Sequence, residues 1–559
     1  MNRLEGIAAS PGAGVAPARI YVTEQPELPS DKVDDADAEA SRLEGAMQEV
    51  ADDLNQRAED AGGEAEDILS AQAMMAQDPD LEEKALTAVR DEGKPAARAV
   101  VEAGETYAKM LENSDNEYMA ARAGDVRDVC ARIARRLLGV PEPDLGALDE
   151  PVVVVARDLM PADTAVLDPE FVQGIVTAEG SRTSHTAILA RALGVPAVVA
   201  VDGLLDAATE GTPIGIDGDE GAVFVDPDEQ TREELADRAE RAEEREAELR
   251  EQAGEGPAAT ADDHRVELAA NAANAAELQA AVDSGAEGVG LLRTEFLYLS
   301  GSEAPTQEEQ VETFREMAQM LGEGRMVVRT FDFGADKPVS FLDMGDEENP
   351  ALGVRGIRLA RQHPDLLDAQ LAALVQVADV GPTIAVMAPM VTTVADAEWL
   401  IERFEEAGGR EADMEIGAMV EVPSAVYLAG ELAERLDFLS VGTNDLAQYL
   451  HAADRQHGAV SELQDPFGPA VLRAMKMICD AADGKAWVGV CGEAGGDPLW
   501  GLVAVGLGVS ELSMGAGSLL EVKAKLRSHD LATCQAAAEA ALAEPDAERA
   551  RAAAQDVLA

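Results

Sequence analysis

The sequence predicts an α/β protein: a C-terminal TIM (β/α)8 barrel, preceded by a smaller α/β domain into which a helical bundle is inserted. Three observations predict it. Eight strand-like segments recur from residue 262 onward, most of them separated by an amphipathic helical stretch. Shorter strand and helix signals alternate between 150 and 225. Residues 31–139 instead are rich in Ala, Glu and Asp, with apolar residues at helical spacing.

Taken in order, residues 1–23 hold the turn ASPGAG and the strand-like APARIYV. They are too few to bury a core and must add to another sheet. In 31–140 the residues Leu43, Met47, Val50 and Leu54 mark one buried helix face. Breaks at Gly62–Gly63, Asp78–Pro79, Gly93–Lys94–Pro95 and Asn113–Ser114 divide this stretch into about four or five helices. The fold begun at residue 1 then resumes near 145 and runs to 226. Its strands are PVVVVA, VQGIVTA, VPAVVAV, TPIGIDG and AVFVDP. Residues 227–261 are a linker: a charged helix over 228–251 with no apolar face, then the flexible turn QAGEGPAATADD. The barrel takes 262–559, with strands VELAANA, GVGLLRTEF, MVVRTFDFG, TIAVMAPM, IGAMVEV, FLSVGTNDL, AWVGVCGE and ELSMGAG.

Composition narrows the functional classes. The chain has 559 residues, with 108 Asp+Glu against 44 Lys+Arg, a formal net charge of −64. The acid is spread over nearly every helical segment, which argues against an acidic tail and for a surface adapted to high salt. Nucleic-acid binding is excluded on the same ground, since phosphate backbones demand basic surfaces. Cys130, Cys479, Cys491 and Cys534 show no paired spacing, so neither a zinc site nor a disulfide framework is expected. No secretory apolar core opens the chain, and the longest apolar run near its end, 499–509, is too short to span a bilayer. A cytoplasmic protein is expected.

Two stretches carry chemistry. In GSRTSHT (180–186), His185 sits where a strand passes into a helix. Backbone N–H groups and the helix dipole there favour a neutral, nucleophilic imidazole and would hold a phosphate bonded to it. A capping or core histidine is the plainer alternative. In the barrel, Asn271, Arg293, Arg329, Glu421, Asn444, Asp445 and Cys491 fall at the C-terminal ends of strands, where this fold builds active sites. Arg293, Arg329 and Arg455 could converge on phosphate and carboxylate groups. Glu421 and Asp445, on neighbouring strands, could hold Mg²⁺ together with substrate oxygens, or form a buried pair satisfied by arginines. Lys337 and Arg355, in the loop after the third strand, could add charge. A ligand bearing both phosphate and carboxylate suits this set. Cys491 reads as a proton donor, a nucleophile or a small buried hydrophobe; the other cysteines read as packing.

The motifs GSRTSHTAILARALGVPAVV, GVGLLRTEFLYL, VVRTFDFGADK, ENPALGVRGIR, GAMVEVPSA, SVGTNDLAQY and GVCGEAGGD, in this order, resemble the phosphoenolpyruvate–protein phosphotransferases, enzyme I of the sugar phosphotransferase system. The resemblance runs nearly the whole length. It implies that the barrel binds phosphoenolpyruvate with Mg²⁺, held by Glu421 and Asp445, while Arg293, Arg329, Asn444, Asp445 and Arg455 contact substrate. It implies that His185, on a swivelling domain, takes the phosphoryl group and passes it to the phosphocarrier protein HPr docked on the helical bundle. Cys491 would protonate the enolate to pyruvate, Thr164 would orient the imidazole, and the barrel would form a homodimer. Two departures stand out. Ser181 replaces the second of the two glycines usual before the arginine of the histidine motif. The acidic surface also predicts that HPr docks through apolar contacts, with Ile68, Met74 and Met75 as candidates. A phosphoenolpyruvate synthase or pyruvate–phosphate dikinase would need a large ATP-binding domain, and the residues before the histidine domain read as helices without a Gly-rich phosphate loop. A non-catalytic sensor would not need His185, the metal pair and Cys491 together. The sugar imported belongs to downstream components.

Overall fold

A computed structural model describes the chain except residues 1, 22–27, 30–31, 34, 62–68, 70–71, 113–122, 141–144, 146–147, 149, 160–166, 168–170, 182–183, 185, 188–189, 191–193, 300–302, 335–338, 340, 343, 346 and 456. The chain divides into two compact units, Met1–Glu244 and Arg245–Ala559.

The first unit contains an eight-stranded sheet: β1 (Asn2–Glu5), β2 (Ile7–Ser10), β3 (Ala13–Tyr21), β4 (Val152–Ala156), β5 (Val172–Thr177), β6 (Ala197–Val199), β7 (Pro213–Asp217) and β8 (Ala222–Val225). Their order is β1-β8-β7-β3-β4-β5-β6-β2. The N-terminal strands thus add to the later sheet, as their length demanded: β3 lies between β4 and β7, β1 pairs with β8, and β2 with β6. Strand alternation divides β4 between two cores. Val152 and Val154 pack with Ile175 and Val199, while Val153 and Val155 pack with Ile214 and Val223.

Between β3 and β4 the chain forms the helices α1 (Ala36–Ala61), α2 (Pro79–Arg90), α3 (Ala96–Glu112) and α4 (Ala123–Leu138). Asp78, one of the expected breaks, caps α2: its carboxylate accepts from the N–H groups of Asp80 and Leu81, and Pro79 opens the helix. Leu43, Met47, Val50 and Leu54 are all buried in the bundle core with Val89, Val100 and Ile133. The charged linker is the helix α5 (Glu229–Ala253). It is solvated over most of its length, as its composition predicts, and docks at two points. Leu235 is buried against Gly215, and Arg238 pairs with the buried Asp217 of β7. One leucine and one arginine suffice to anchor its first turns. The turn after it is closed by a bridge between Ala259 and Arg265.

The second unit is a closed parallel barrel of β9 (Glu267–Ala272), β10 (Val289–Leu292), β11 (Arg325–Arg329), β12 (Thr383–Ala388), β13 (Glu415–Val420), β14 (Phe438–Val441), β15 (Trp487–Val490) and β16 (Glu511–Met514). Each coincides with one of the eight strand-like segments read from the sequence. Val328, Val386, Ile416 and Leu439 join the core that includes the surrounding helices, whereas Leu291, Val327, Ala385, Met387, Met419 and Phe438 form a second cluster. At the N-terminal ends of the strands, Arg325 pairs with Glu267 at 2.7 Å and Glu415 at 3.0 Å, and lies 4.4 Å over the Trp487 ring. Beside them Glu511 is fully buried, and burial together with Glu267 pushes its carboxyl up to about 8. Four later helices matter below: α6 (Thr443–His451), α7 (Pro498–Leu507), α8 (Leu531–Ala543) and α9 (Ala547–Leu558). The last two follow the helix Ala516–Arg527 that completes the repeat after β16.

Candidate active site

The opposite rim of the barrel carries a row of alternating charges. It begins at Glu295, just past β10, whose Oε1 accepts from Arg329 Nη2 at 2.8 Å and from the Asp332 backbone N–H at 2.8 Å. Arg329 Nη1 lies 3.4 Å from Asp332 Oδ2. Arg355 grips Asp332 with two bonds, Nε to Oδ1 at 3.1 Å and Nη2 to Oδ2 at 2.6 Å. It also reaches Asp445 Oδ1 at 3.7 Å, and Arg455 lies 3.6 Å from Asp445 Oδ2. The end of β11 and the segments after β10, β11 and β14 supply these groups, so the packing of the barrel strands is what assembles the row. Burial opposes charge on Arg329 and Arg355, but Glu295 and Asp332 on the first and Asp332 on the second outweigh it and hold both pKa values above the ordinary arginine value.

Glu421, directly after β13, is completely buried. Its Oε1 accepts from the Met390 backbone N–H at 2.6 Å. Met390 takes a left-handed conformation, φ 60°, an unfavourable one for a long side chain. That turn of the backbone aims the N–H at the carboxylate. Glu421 Oε2, Asp445 Oδ1 and Arg329 Nε are buried with no hydrogen-bond partner. Burial, then the neighbouring charges of Asp445 and Asp332, push the Glu421 carboxyl well above the usual carboxylate range. Two orphaned carboxylate oxygens beside arginines fit a divalent cation that takes its other ligands from substrate and water. Among the described residues no group of three or more His, Cys, Asp or Glu could hold a metal without such help.

Cys491, directly after β15, is buried, with its Sγ 3.7 Å from the Val441 carbonyl oxygen. Burial pushes its thiol up to about 12. Asn271 at the end of β9 donates to the Cys491 carbonyl at 3.3 Å and accepts from Ser513 at 2.6 Å. The next residue must be glycine: a Cβ on Gly492 would fall 1.8 Å from Thr443 Oγ1, at the start of α6. This close approach puts the Cys491 loop against the helix that carries Asn444 and Asp445.

Of the residues singled out from sequence, Arg329, Arg355, Asp445 and Arg455 join one network, and Glu421 acts electrostatically on both Arg329 and Arg355. Cys491 lies at the end of the neighbouring strand β15, buried on the same side of the barrel. Arg293 follows β10 with its side chain exposed, and Asn444 is half-buried in the first turn of α6. His185, Thr164, Lys337 and Ile68 lie outside the described residues. The described flanks of His185 are the end of β5, Gly180 at φ 117°, and helical Thr186 and Ala187; the Thr186 hydroxyl donates to Asp158 at 3.2 Å. Cys130, Cys479 and Cys534 are buried, as packing requires. Sequence reasoning passed over Glu295 and Asp332, although both lie inside motifs it quoted, RTEF and TFDFG. The missing signal was that buried strand-end arginines need carboxylates close by.

Three family models match: "PEP-utilising enzyme, N-terminal" over residues 5–122, "PEP-utilising enzyme, mobile domain" over 148–221, and "PEP-utilising enzyme, PEP-binding domain" over 247–531. Three similar proteins carry the name phosphoenolpyruvate-protein phosphotransferase. That of Streptomyces coelicolor is 50% identical over 564 residues, covering 99% of both chains. That of Haloferax volcanii is 41% identical, covering 96% of both, and that of Staphylococcus carnosus 39% identical, covering 94% of both. The chain belongs to the phosphoenolpyruvate-protein phosphotransferases and is an enzyme of phosphoryl transfer from phosphoenolpyruvate.

Proposed function

We propose that the barrel rim binds phosphoenolpyruvate and that His185 takes its phosphoryl group. The observation that carries this reading is the set of buried atoms in and beside the charged row that make no hydrogen bond: two carboxylate oxygens and one guanidinium N–H. Arg329 and Arg455, with Arg293 and Asn444 at the edge, orient the anionic substrate. Glu421 and Asp445 hold Mg²⁺, which supplies neutralisation of phosphate charge when bound. The histidine ring nitrogen attacks phosphorus, the N–P bond forms, and the bond from phosphorus to the enol oxygen breaks. Cys491 gives its proton to the methylene carbon of the enolate, and pyruvate leaves. Little covalent work falls to the protein, so positioning and charge carry the rate.

In this reading the domain made of residues 1–23 and 145–226 swivels between the barrel and the phosphocarrier HPr, with Thr164 orienting the imidazole. HPr docks on the bundle of 31–140 and accepts the phosphoryl group on a histidine, the first step of sugar uptake. Exposed Met74 and its neighbour Met75, with Ile68, supply apolar docking contacts. The protein works in the cytoplasm, as a homodimer through the barrel, and the −64 charge suits a salt-rich interior. Among the described residues no helix is long and apolar enough to cross a membrane.

Incubation with phosphoenolpyruvate labelled in the phosphoryl group, Mg²⁺ and the cell's small proteins tests the scheme. Acid-labile label on this chain, then on one small acceptor, is expected. Full labelling of a His185→Ala protein would refute the histidine assignment.

A further inference from the structure

The match to the phosphoenolpyruvate-binding family model ends at residue 531, so α9 lies beyond it. This helix nevertheless grips two loops of the active-site rim at once. Arg551 Nη1 bonds Asp497 Oδ2 at 2.9 Å, and Nη2 bonds Asp465 Oδ1 at 3.4 Å. Its guanidinium also lies 4.3 Å from the centroid of the buried Phe467 ring. A planar fork with two carboxylates and an aromatic face fixes the distance between the segments that carry them.

Both segments lead directly to the site. Asp497 ends the short turn that begins at Cys491. Its other oxygen caps α7 by accepting from the N–H groups of Leu499 and Trp500, at 2.9 and 3.1 Å. The turn between is stiff: Gly495 N–H donates to Gly492 and Asp497 N–H to Ala494, both at 3.1 Å. Asp465 ends the loop that begins at Arg455. Gln464 beside it donates back to the Ala453 carbonyl at 3.0 Å, and the Arg455 N–H donates to the Gln448 side chain at 2.9 Å. The Trp500 indole N–H donates to the Pro466 carbonyl at 3.1 Å, a second tie between the same two loops.

We propose that Arg551 is a positioning residue that clamps the Cys491 loop to the Arg455 loop, so that the proton donor and the substrate-binding guanidinium face one substrate. The inference rests on the roles assigned to Arg455 and Cys491 above. Arg551 itself touches no reacting atom.

Single-turnover pyruvate release from the full-length protein with Mg²⁺, followed over a range of phosphoenolpyruvate concentrations, gives a maximal rate and a half-saturating concentration. R551A is expected to lower their ratio by about ten- to hundredfold, with both quantities affected. R551K keeps the charge but loses the fork, and should recover part of the loss. In a C491A background R551A should lower the maximal rate no further. In an R455A background it should raise the half-saturating concentration no further. Equal losses in every background, or a lower melting temperature with unchanged kinetics, would overturn the clamp and leave the site assignment standing. C491A and R455A proteins as active as wild type would overturn the site assignment, and the clamp with it.

Discussion

Replacing Cys491 by alanine tests the proposed proton donor separately from the rest of the site. Burial holds the thiol pKa at about 12. At pH 8 a free cysteine with pKa ~8.5 is roughly a quarter thiolate, whereas this thiol is almost wholly protonated. A group in that state is a proton donor at every physiological pH and a poor nucleophile. A positioned general acid contributes typically ~10²–10⁴-fold to a rate, which is roughly 3–5 kcal/mol of barrier. Removing one buried sulfur should cost the fold only about 1 kcal/mol. Single-turnover pyruvate release at saturating phosphoenolpyruvate should thus fall by about 10²–10⁴-fold in C491A, with substrate affinity by calorimetry nearly unchanged. The loss should be the same from pH 6 to pH 9, because the wild-type thiol stays protonated throughout. Unchanged turnover would reduce Cys491 to packing. A wild-type rate that climbs about tenfold per pH unit and flattens in C491A would show a thiolate at work instead.

Asp332→Asn removes the carboxylate shared by Arg329 and Arg355. Breaking a buried pair from one side costs about 3–5 kcal/mol. Each arginine keeps a second partner, Glu295 or Asp445, so the lower end is expected, read as a drop in melting temperature together with weaker phosphoenolpyruvate binding. Glu421→Gln preserves the acceptor for the Met390 N–H and removes a buried ionisable group set against Asp445 and Asp332. It should raise the Mg²⁺ concentration needed for activity without lowering metal-free stability, and an unchanged Mg²⁺ titration would exclude Glu421 as a ligand. Glu511 carries a carboxyl raised to about 8, against ~4.3 in an unfolded chain. Between those values the folded state binds the extra proton, so stability falls as pH rises, by at most about 1.4 kcal/mol per unit. Melting temperatures measured at pH 5.5, 7 and 8.5 should lie closer together in Glu511→Gln, the slope that remains coming from groups such as Glu421; an unaltered pH dependence would place the slope elsewhere.

Much of the architecture was legible because it rests on local patterning. The eight barrel strands are short apolar runs that end on polar residues, and a run of this kind can be read one segment at a time. Asp78 with Pro79 was legible as a break between helices for the same reason, and the spacing of Leu43, Met47, Val50 and Leu54 as a buried helix face. The positions of Arg329, Glu421, Asp445 and Cys491 at strand ends followed directly. The charged helix α5 was found as a helix, but its docking through Leu235 and Arg238 was not, because one leucine in a polar stretch makes no pattern.

The sequence by itself determined which residue types stand at which strand ends, and hence the phosphate-and-carboxylate chemistry of the rim. Tertiary structure decided how those charges are shared. Only the pairing of β10 with β11 sets Glu295 against Arg329, and only the loop after β11 turns Arg355 back onto Asp332. Only a left-handed Met390 leaves one oxygen of Glu421 bonded and the other without a partner. The reach of Arg551 to Asp465 and Asp497, across 86 and 54 residues, has no local signature at all. Hydrogen bonds and ion pairs act over a few ångströms of space, whatever the separation along the chain, so the partner of a buried charge is fixed by the fold that encloses it.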